Sequence, residues 1–139
     1  MNIKKEAREF LKDKHYCVIS TVSKESKSES AYVAFSENED LEIMIGTSRQ
    51  SRKFRNILHN PNVSIVFWDG DKKTLQYEGV AHTLGKAEWQ SKTKLHYVKQ
   101  PGAAKYETDP SQTYFVVKPS WVRLVESGPK VLGEMRFDS

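Results

Sequence analysis

The first hydrophobic residues of the chain recur at the spacing of an α-helix. Ile3, Ala7, Phe10 and Leu11 fall on one face, and lysines and glutamates fill the other. Asn2 comes directly before them and has a side chain suited to an N-cap. The pattern therefore predicts an amphipathic N-terminal helix with one face turned towards a core.

Two further helices are predicted in the middle of the chain. The first begins after Ser51, which can cap it, and ends at residues 59–61, because a residue before proline avoids the helical conformation. Its apolar side chains lie three and four positions apart on one face: Phe54, Ile57 and Leu58. The second covers roughly residues 86–98, and residues 100–110 are expected to form a loop or a broken helix. The apolar side chains of this helix are Trp89, Leu95 and Val98.

The remaining apolar segments alternate with polar residues, or are rich in β-branched and aromatic residues, as is typical of strands. They lie at residues 16–23, 29–36, 41–45, 63–68, 74–84, 113–118 and 121–126. The first three are joined by turns too short for a crossover helix, so an antiparallel meander is predicted. Gly79 is a candidate bulge and Pro119 a hinge between the last two strands, whereas residues 127–139 show little periodicity.

About seven short strands with short connections favour a mainly β fold. An antiparallel barrel or sandwich with a few helices fits them better than a doubly wound sheet. The length of 139 residues predicts one domain spanning residues 1–139. The sequence contains neither an apolar run long enough for a membrane span nor the pattern of a secretory signal. One cysteine, Cys17, excludes an internal disulfide framework and is expected to be a small buried hydrophobe, so a cytoplasmic location is expected.

The positive charges of the chain concentrate in one short segment. The whole sequence has 22 Lys and Arg against 18 Asp and Glu, a net charge of +4, and acids and bases are interleaved through most of it. Four cations nevertheless fall between positions 49 and 55: Arg49, Arg52, Lys53 and Arg55. The slight basicity is therefore local, which argues against a nucleic-acid partner.

This basic segment lies where a strand is predicted to lead into a helix. Thr47, Ser48 and Ser51 supply hydroxyl groups, and the helix start supplies free backbone N–H groups. Hydroxyls, amides and at least two cations are what a phosphate monoester requires. Two other interpretations remain open at this point: a solvated basic helix face, which is the commonest origin of such runs, and a contact with nucleic-acid phosphates.

Residues 47–68, TSRQSRKFRNILHNPNVSIVFW, resemble the flavin-phosphate signature of the pyridoxamine 5′-phosphate oxidase-like superfamily. The shared pattern is a strand ending in a small hydroxylated residue, then Ser-Arg-Lys on a helix, then Asn-Pro and an apolar strand. TLQYEGVAHTL and FVVKPSWVRLVE resemble the following strand and the closing strands of small members. The similarity covers about residues 3–126.

The resemblance implies a six- to seven-stranded antiparallel split β-barrel that forms a homodimer, with FMN at the subunit interface. Arg52 and Lys53 would hold the FMN phosphate. Gly46 and Thr47 would approach the phosphate and ribityl chain, and Ser51 would support the phosphate or cap the helix.

Other positions are implied to lie near the flavin ring. The edge of the second strand would place its backbone against the ring; the matching residues are Ala31, Tyr32, Val33, Ala34 and Phe35. Thr74 and Gln76 match positions that reach the flavin from the neighbouring subunit. Trp121 and Arg123 are weaker matches, and Trp121 is equally suited to anchor the core or the interface. The tail, residues 127–139, is expected to extend along that interface.

The resemblance does not extend to the substrate site. Where the vitamin B6 oxidase has a basic residue at the end of the second strand, this chain has Ser36, and the tail KVLGEMRFDS lacks the arginine-bearing motif that grips pyridoxine phosphate. The vitamin B6 reaction is therefore not expected. The function expected is an FMN-dependent oxidoreductase with NAD(P)H or a small molecule as reductant. The alternatives are a non-catalytic or stress-related flavin module and a split barrel that binds deazaflavin or haem.

No catalytic residue and no metal site is predicted. The four histidines lack metal-ligand spacing and are expected at the surface or at helix ends: His15, His59, His82 and His96. The chemistry is therefore expected to reside in the flavin itself.

Overall fold

The structure is a computed structural model that describes residues 2–138. Its α-helices are α1 (Ile3–Leu11), α2 (Arg52–His59) and α3 (Lys86–Lys99), and a 3-10 helix follows at Pro101–Tyr106. Its strands are β1 (Tyr16–Val22), β2 (Ser28–Ala34), β3 (Ser36–Glu37), β4 (Ile43–Ser48), β5 (Asn62–Trp68), β6 (Lys73–Thr83), β7 (Gln112–Glu126) and β8 (Lys130–Arg136). Every strand pair is antiparallel.

The eight strands form one sheet that curls into a barrel. The order is β2-β1-β5-β6-β7-β4-β3, and β8 pairs with β7 outside this path. β2 and β3 lie at opposite ends of the order, yet only Phe35 separates them in the chain. The two ends of the sheet are therefore drawn together. Counted as one bent strand, β2 and β3 give the seven strands of a split barrel, which confirms the predicted fold class.

The bend at Phe35 limits the predicted meander, because the second and third predicted strands pair only beyond it. β2 pairs with β1 as expected, but β4 does not pair with β2. β4 instead pairs with the two residues of β3 and, along its whole length, with β7. Leu41, predicted within a strand, has φ +60° in the turn before β4, and its side chain is fully buried. The strand consequently begins two residues later than predicted.

The barrel interior is filled by side chains that alternate inward along each strand. Phe35, Phe67 and Tyr77 meet at its centre in edge-to-face contacts of 4.8 and 6.0 Å between ring centroids. The Tyr77 hydroxyl donates to the carbonyls of Leu41 and Val117, so this buried polar atom is satisfied. Cys17 is buried as predicted, and burial raises the pKa of its thiol to about 12.

Pro119 does not divide the last predicted strand. β7 runs through it, because Pro119 lies opposite Gly79 at a bulge where the register shifts by one residue. A proline is tolerated there since the ladder is already interrupted. The predicted role of Gly79 is confirmed: a Cβ atom at this position would lie 2.5 Å from the backbone oxygen of Lys118.

The tail contains a strand that was not predicted. β8 pairs with the second half of β7, with a register shift between Leu124 and Val125. Gly133 and this shift interrupt the alternation of apolar residues, which explains the weak periodicity. Most of the described tail is thus an edge strand that pairs only with β7.

The helix caps are confirmed, but three apolar positions are not on the buried faces. Asn2 Oδ1 accepts from Lys5 N at 3.1 Å, and α2 ends at His59 as predicted. The exposed residues are Leu58 on α2 and Leu95 and Val98 on α3. α3 instead buries Trp89, Thr93 and His96, and packs Trp89 against Tyr114 on the outer face of β7. No helix of residues 2–138 is long and apolar enough to cross a membrane.

Candidate functional site

The site begins where β4 ends and α2 starts. Ser51 is the N-cap of α2: its hydroxyl accepts from Phe54 N at 3.3 Å and shares a 2.9 Å hydrogen bond with Thr47 Oγ1. Thr47 is buried because it points to the same inward side of β4 as Ile43 and Ile45. This link fixes the helix start to the strand end. The first backbone N–H groups of α2 and the positive end of its dipole are therefore held in place.

Two cations occupy the first turn of α2 and have different surroundings. Arg52 is 68% exposed, and its Nη1 lies 3.5 Å from Glu29 Oε2. Lys53 is half-buried, and none of the described acidic groups lies within ion-pair distance of its Nζ. Burial lowers the pKa of Lys53, because water that would stabilise the ammonium is excluded. A desolvated cation without a counter-ion is suited to receive an anion.

A cavity of about 670 Å³ opens beside the end of β4, within the size range of small-molecule sites. It reaches from the end of β2 at Ala34, past Gly46 and Thr47, to the 3-10 helix and the segment that follows it. Of the predicted site residues, the structure brings Ala34, Gly46 and Thr47 to this cavity. Ser51, Arg52 and Lys53 do not line it; Ser51 is connected to it through its hydrogen bond to Thr47.

Gly46 allows an aromatic ring to approach the backbone of β4. A Cβ atom at this position would lie 2.7 Å from Tyr114 Cε1 and 2.9 Å from Gln112 Nε2. Tyr114 is fully buried and lines the cavity, and its hydroxyl has no hydrogen-bond partner among the described residues. The ring therefore forms part of the wall because position 46 carries no side chain.

His96 lies in the last turn of α3, a helix-end position as predicted, but its side chain is not at the surface. It is buried beneath α3, its Nδ1 is 2.6 Å from Ser36 Oγ, and its ring lies 5.3 Å from that of Tyr114. Burial lowers the pKa of His96 to about 4, so the imidazole is neutral at neutral pH. Ser36, the position at which the vitamin B6 oxidase carries a basic residue, is thus engaged by a neutral ring.

The second strand has one edge without a strand partner among the described residues. β2 pairs only with β1, so its other edge has no strand partner within residues 2–138. Val33 is buried and Ala31 packs against the core, whereas Tyr32 points outward and is 72% exposed. The free backbone groups along this edge are available to a ligand.

The other predicted site residues lie on a different face of the same chain. Thr74 and Gln76 point outward from β6. Gln76 and Trp121 line a shallow hollow of about 330 Å³. Trp121 Nε1 donates to Glu134 Oε2 at 2.9 Å, and Arg123 pairs with the same carboxylate at 3.0 Å. None of these residues lines the cavity beside Gly46.

This outer face exposes several large hydrophobic side chains. Large hydrophobic side chains are exposed along β1, β2, β5 and β8; they are Tyr16, Tyr32, Val66, Trp68 and Val131. Tyr16 and Tyr32 stack with centroids 5.2 Å apart and an interplanar angle of 13°. An exposed apolar sheet face of this kind is typical of an interface.

The sequence did not reveal the outer wall of the cavity. That wall consists of residues from the end of α3 and the 3-10 segment: His96, Gln100, Lys105, Tyr106 and Asp109. Pro101 and Gly102 indicated only irregular backbone, and no periodicity places such a segment against a particular strand. No group of three metal-ligating side chains occurs among the described residues.

The fold and the strand-to-helix site define an antiparallel split barrel with a candidate phosphate-binding helix start. A family model described as pyridoxamine 5′-phosphate oxidase matches residues 3–126, and the chain belongs to that family. Among curated protein sequences, none matches this chain.

Solved structures share the fold at low sequence identity. General Stress Protein 26 from Bacillus anthracis is 21% identical with a TM-score of 0.74, and the match covers 99% of this chain and 100% of that one. A putative pyridoxamine 5′-phosphate oxidase from Listeria innocua is 15% identical with a TM-score of 0.73, over 94% and 98%. A heme binding protein from Mycobacterium smegmatis is 17% identical with a TM-score of 0.83, over 98% of this chain and 58% of that one. At these identities the likeness establishes the fold.

Proposed function

We propose that the protein binds FMN and acts as an FMN-dependent oxidoreductase. The observation that carries the proposal is the desolvated, unpaired cation Lys53 beside Arg52 at a capped helix start, next to a cavity of about 670 Å³. Such a helix start favours a phosphate group, and the cavity is of a suitable size for the attached ring system. Family membership supports the same ligand.

The residues present fit this cofactor. Arg52, Lys53 and the first N–H groups of α2 would hold the phosphate, with Ser51 and Thr47 keeping the helix start in position. The free edge of β2, from Ala31 to Ala34, would face the ring. The cofactor would supply the two-electron chemistry, and the protein would bind it, orient it and exclude water.

The proposal includes a homodimer. The exposed apolar face of the sheet needs a cover, and a two-fold interface covers the same face on both copies. Thr74, Gln76 and Trp121 lie on that face and away from the cavity of their own chain. In a dimer they would complete the flavin site of the neighbouring subunit.

A molecular mass of twice 16.0 kDa is expected in solution, because the apolar face would otherwise remain in water. Size-exclusion chromatography with light scattering measures it. Val66→Asp places a charge in the middle of that face and is expected to shift the protein towards the monomer, while Lys24→Asp in an exposed turn serves as the control. A wild-type protein that is monomeric at all concentrations contradicts the dimer.

Reduction of the bound flavin separates an enzyme from a binding module. The FMN-loaded protein is expected to lose its yellow colour when it is mixed anaerobically with NADH or NADPH. Stopped-flow absorbance follows the loss, with free FMN at the same concentration as the control. A loaded protein that bleaches no faster than free FMN with either nucleotide supports the non-catalytic flavin module instead.

Haem is the second candidate ligand, and His96 is the observation that favours it. His96 lines the cavity, and its Nδ1 is held by Ser36, which leaves Nε2 as the nitrogen able to bind a metal. One structural neighbour is a heme binding protein. The burial of His96 and the cations on α2 favour FMN over haem. A deazaflavin would compete for the same site, and direct competition with FMN distinguishes the two.

A further inference from the structure

We propose that Glu29 is the internal counter-ion of Arg52 and sets how tightly the start of α2 binds a phosphate group. The inference rests on the proposed function for the identity of the ligand, which is taken to be FMN. It concerns a residue that belongs to none of the positions implied by the family resemblance. Glu29 lies on β2, and its carboxylate faces the first turn of α2.

The carboxylate of Glu29 is held in place by a buried network. Asn56 Nδ2 donates to Glu29 Oε1 at 2.8 Å and to Thr21 Oγ1 at 2.9 Å, so both of its hydrogens are used. Asn56 is buried and Thr21 is fully buried. The side chain of Glu29 itself is only 20% exposed. A surface acid on a mobile side chain would lack this support.

The second oxygen of Glu29 faces Arg52. The distance from Oε2 to Arg52 Nη1 is 3.5 Å, which is longer than the roughly 2.7–2.9 Å of a strong charge-assisted hydrogen bond. Arg52 is 68% exposed and approaches Glu29 through this one nitrogen. The guanidinium is therefore held near Glu29 by electrostatic attraction and not by a strong hydrogen bond. A phosphate group can displace Glu29 from this contact.

The two cations of the first turn consequently differ in whether an acidic group opposes their charge. Among residues 2–138 Lys53 has no acidic partner, whereas the charge of Arg52 is opposed by a fixed carboxylate. A phosphate monoester carries about −1.5 to −2 charges near neutral pH, so it must compete with Glu29 for Arg52 and is repelled by it. Glu29 thus lowers the affinity of the helix start for phosphate.

Glu29→Gln isolates the charge from the structural role, because the glutamine carbonyl can still accept from Asn56 Nδ2. FMN is expected to bind this variant about two- to fivefold more tightly than wild type, the range expected for loss of a partly exposed ion-pair competitor. Riboflavin, which lacks the phosphate, is expected to bind both proteins equally. Fluorescence titration gives the Kd values, and Glu39→Gln in an exposed turn is the control with the same change in net charge.

Inorganic phosphate provides a reading that does not depend on the flavin. Its Kd, followed by the ¹H–¹⁵N shifts of Ser51, Arg52 and Lys53, is expected to fall by a similar factor in Glu29→Gln. A Kd for FMN and for phosphate that is unchanged or raised in Glu29→Gln overturns the proposal, as does an equal gain for riboflavin. If wild-type protein binds phosphate but not FMN, the proposed flavin ligand is wrong, and the phosphate comparison still tests the role of Glu29. If wild-type protein binds neither, both the proposed function and the role of Glu29 are wrong.

Discussion

Replacing Arg52 and Lys53 together by alanine is expected to weaken FMN binding by about 2–5 kcal/mol, or roughly 30- to 4,000-fold. Both side chains lie in the first turn of α2, where they add charge to the helix N–H groups. Lys53 contributes the more, because it is partly desolvated and unpaired, while Arg52 must first leave Glu29. Calorimetric or fluorescence titration at fixed ionic strength measures the loss.

The loss is expected to be specific for the phosphate. Riboflavin affinity should be unchanged in the double variant, and the difference between FMN and riboflavin seen in wild type should largely disappear. Lys92→Ala with Lys94→Ala removes the same charge from exposed positions of α3 and is the matched control. Equal FMN affinity in wild type and in the Arg52/Lys53 variant would mean that the phosphate binds elsewhere.

The second large effect is on stability below neutral pH. Burial lowers the pKa of His96 to about 4, against 6.5 for the exposed side chain. Between these values the unfolded chain binds a proton that the folded chain does not, so the free energy of unfolding falls as the pH falls through this range. At 1.36 kcal/mol per pH unit the contribution reaches about 3 kcal/mol by pH 4.

His96→Gln removes the titrating group and keeps a side chain able to hydrogen-bond Ser36. Urea denaturation at several pH values between 7 and 4 is expected to show a smaller loss of stability in this variant than in wild type, by up to about 3 kcal/mol. His82→Gln, at an exposed position of β6, is the control and should follow wild type. Identical pH profiles for wild type and His96→Gln would show that folding does not lower the pKa of His96.

Local features of the fold could be predicted from the sequence because their causes are local. Asn2 and Ser51 cap their helices through side chains that reach only three residues ahead. The end of α2 before Pro61 and the bulge at Gly79 follow from the backbone limits of proline and glycine. For the same reason α2 begins at Arg52, directly after its predicted cap, although β4 continues three residues beyond its predicted end, to Ser48.

The errors concern which face of an element is buried, because that depends on distant partners. Leu95 and Val98 are exposed, since α3 turns Trp89 and His96 towards Tyr114, which is far away in the chain. Likewise, no local pattern reveals that β8 pairs with β7 or that the 3-10 helix closes one side of the cavity. Pairing and cavity walls arise from long-range contacts.

The central claim is that the start of α2 binds the phosphate of a flavin. Titrating wild-type protein with FMN and with riboflavin, while recording the visible spectrum and the flavin fluorescence, tests it most directly. The predicted result is saturable quenching with one FMN per chain and clearly tighter binding of FMN than of riboflavin. Failure to quench FMN, equal affinity for the two flavins, or displacement of bound FMN by haem would contradict it.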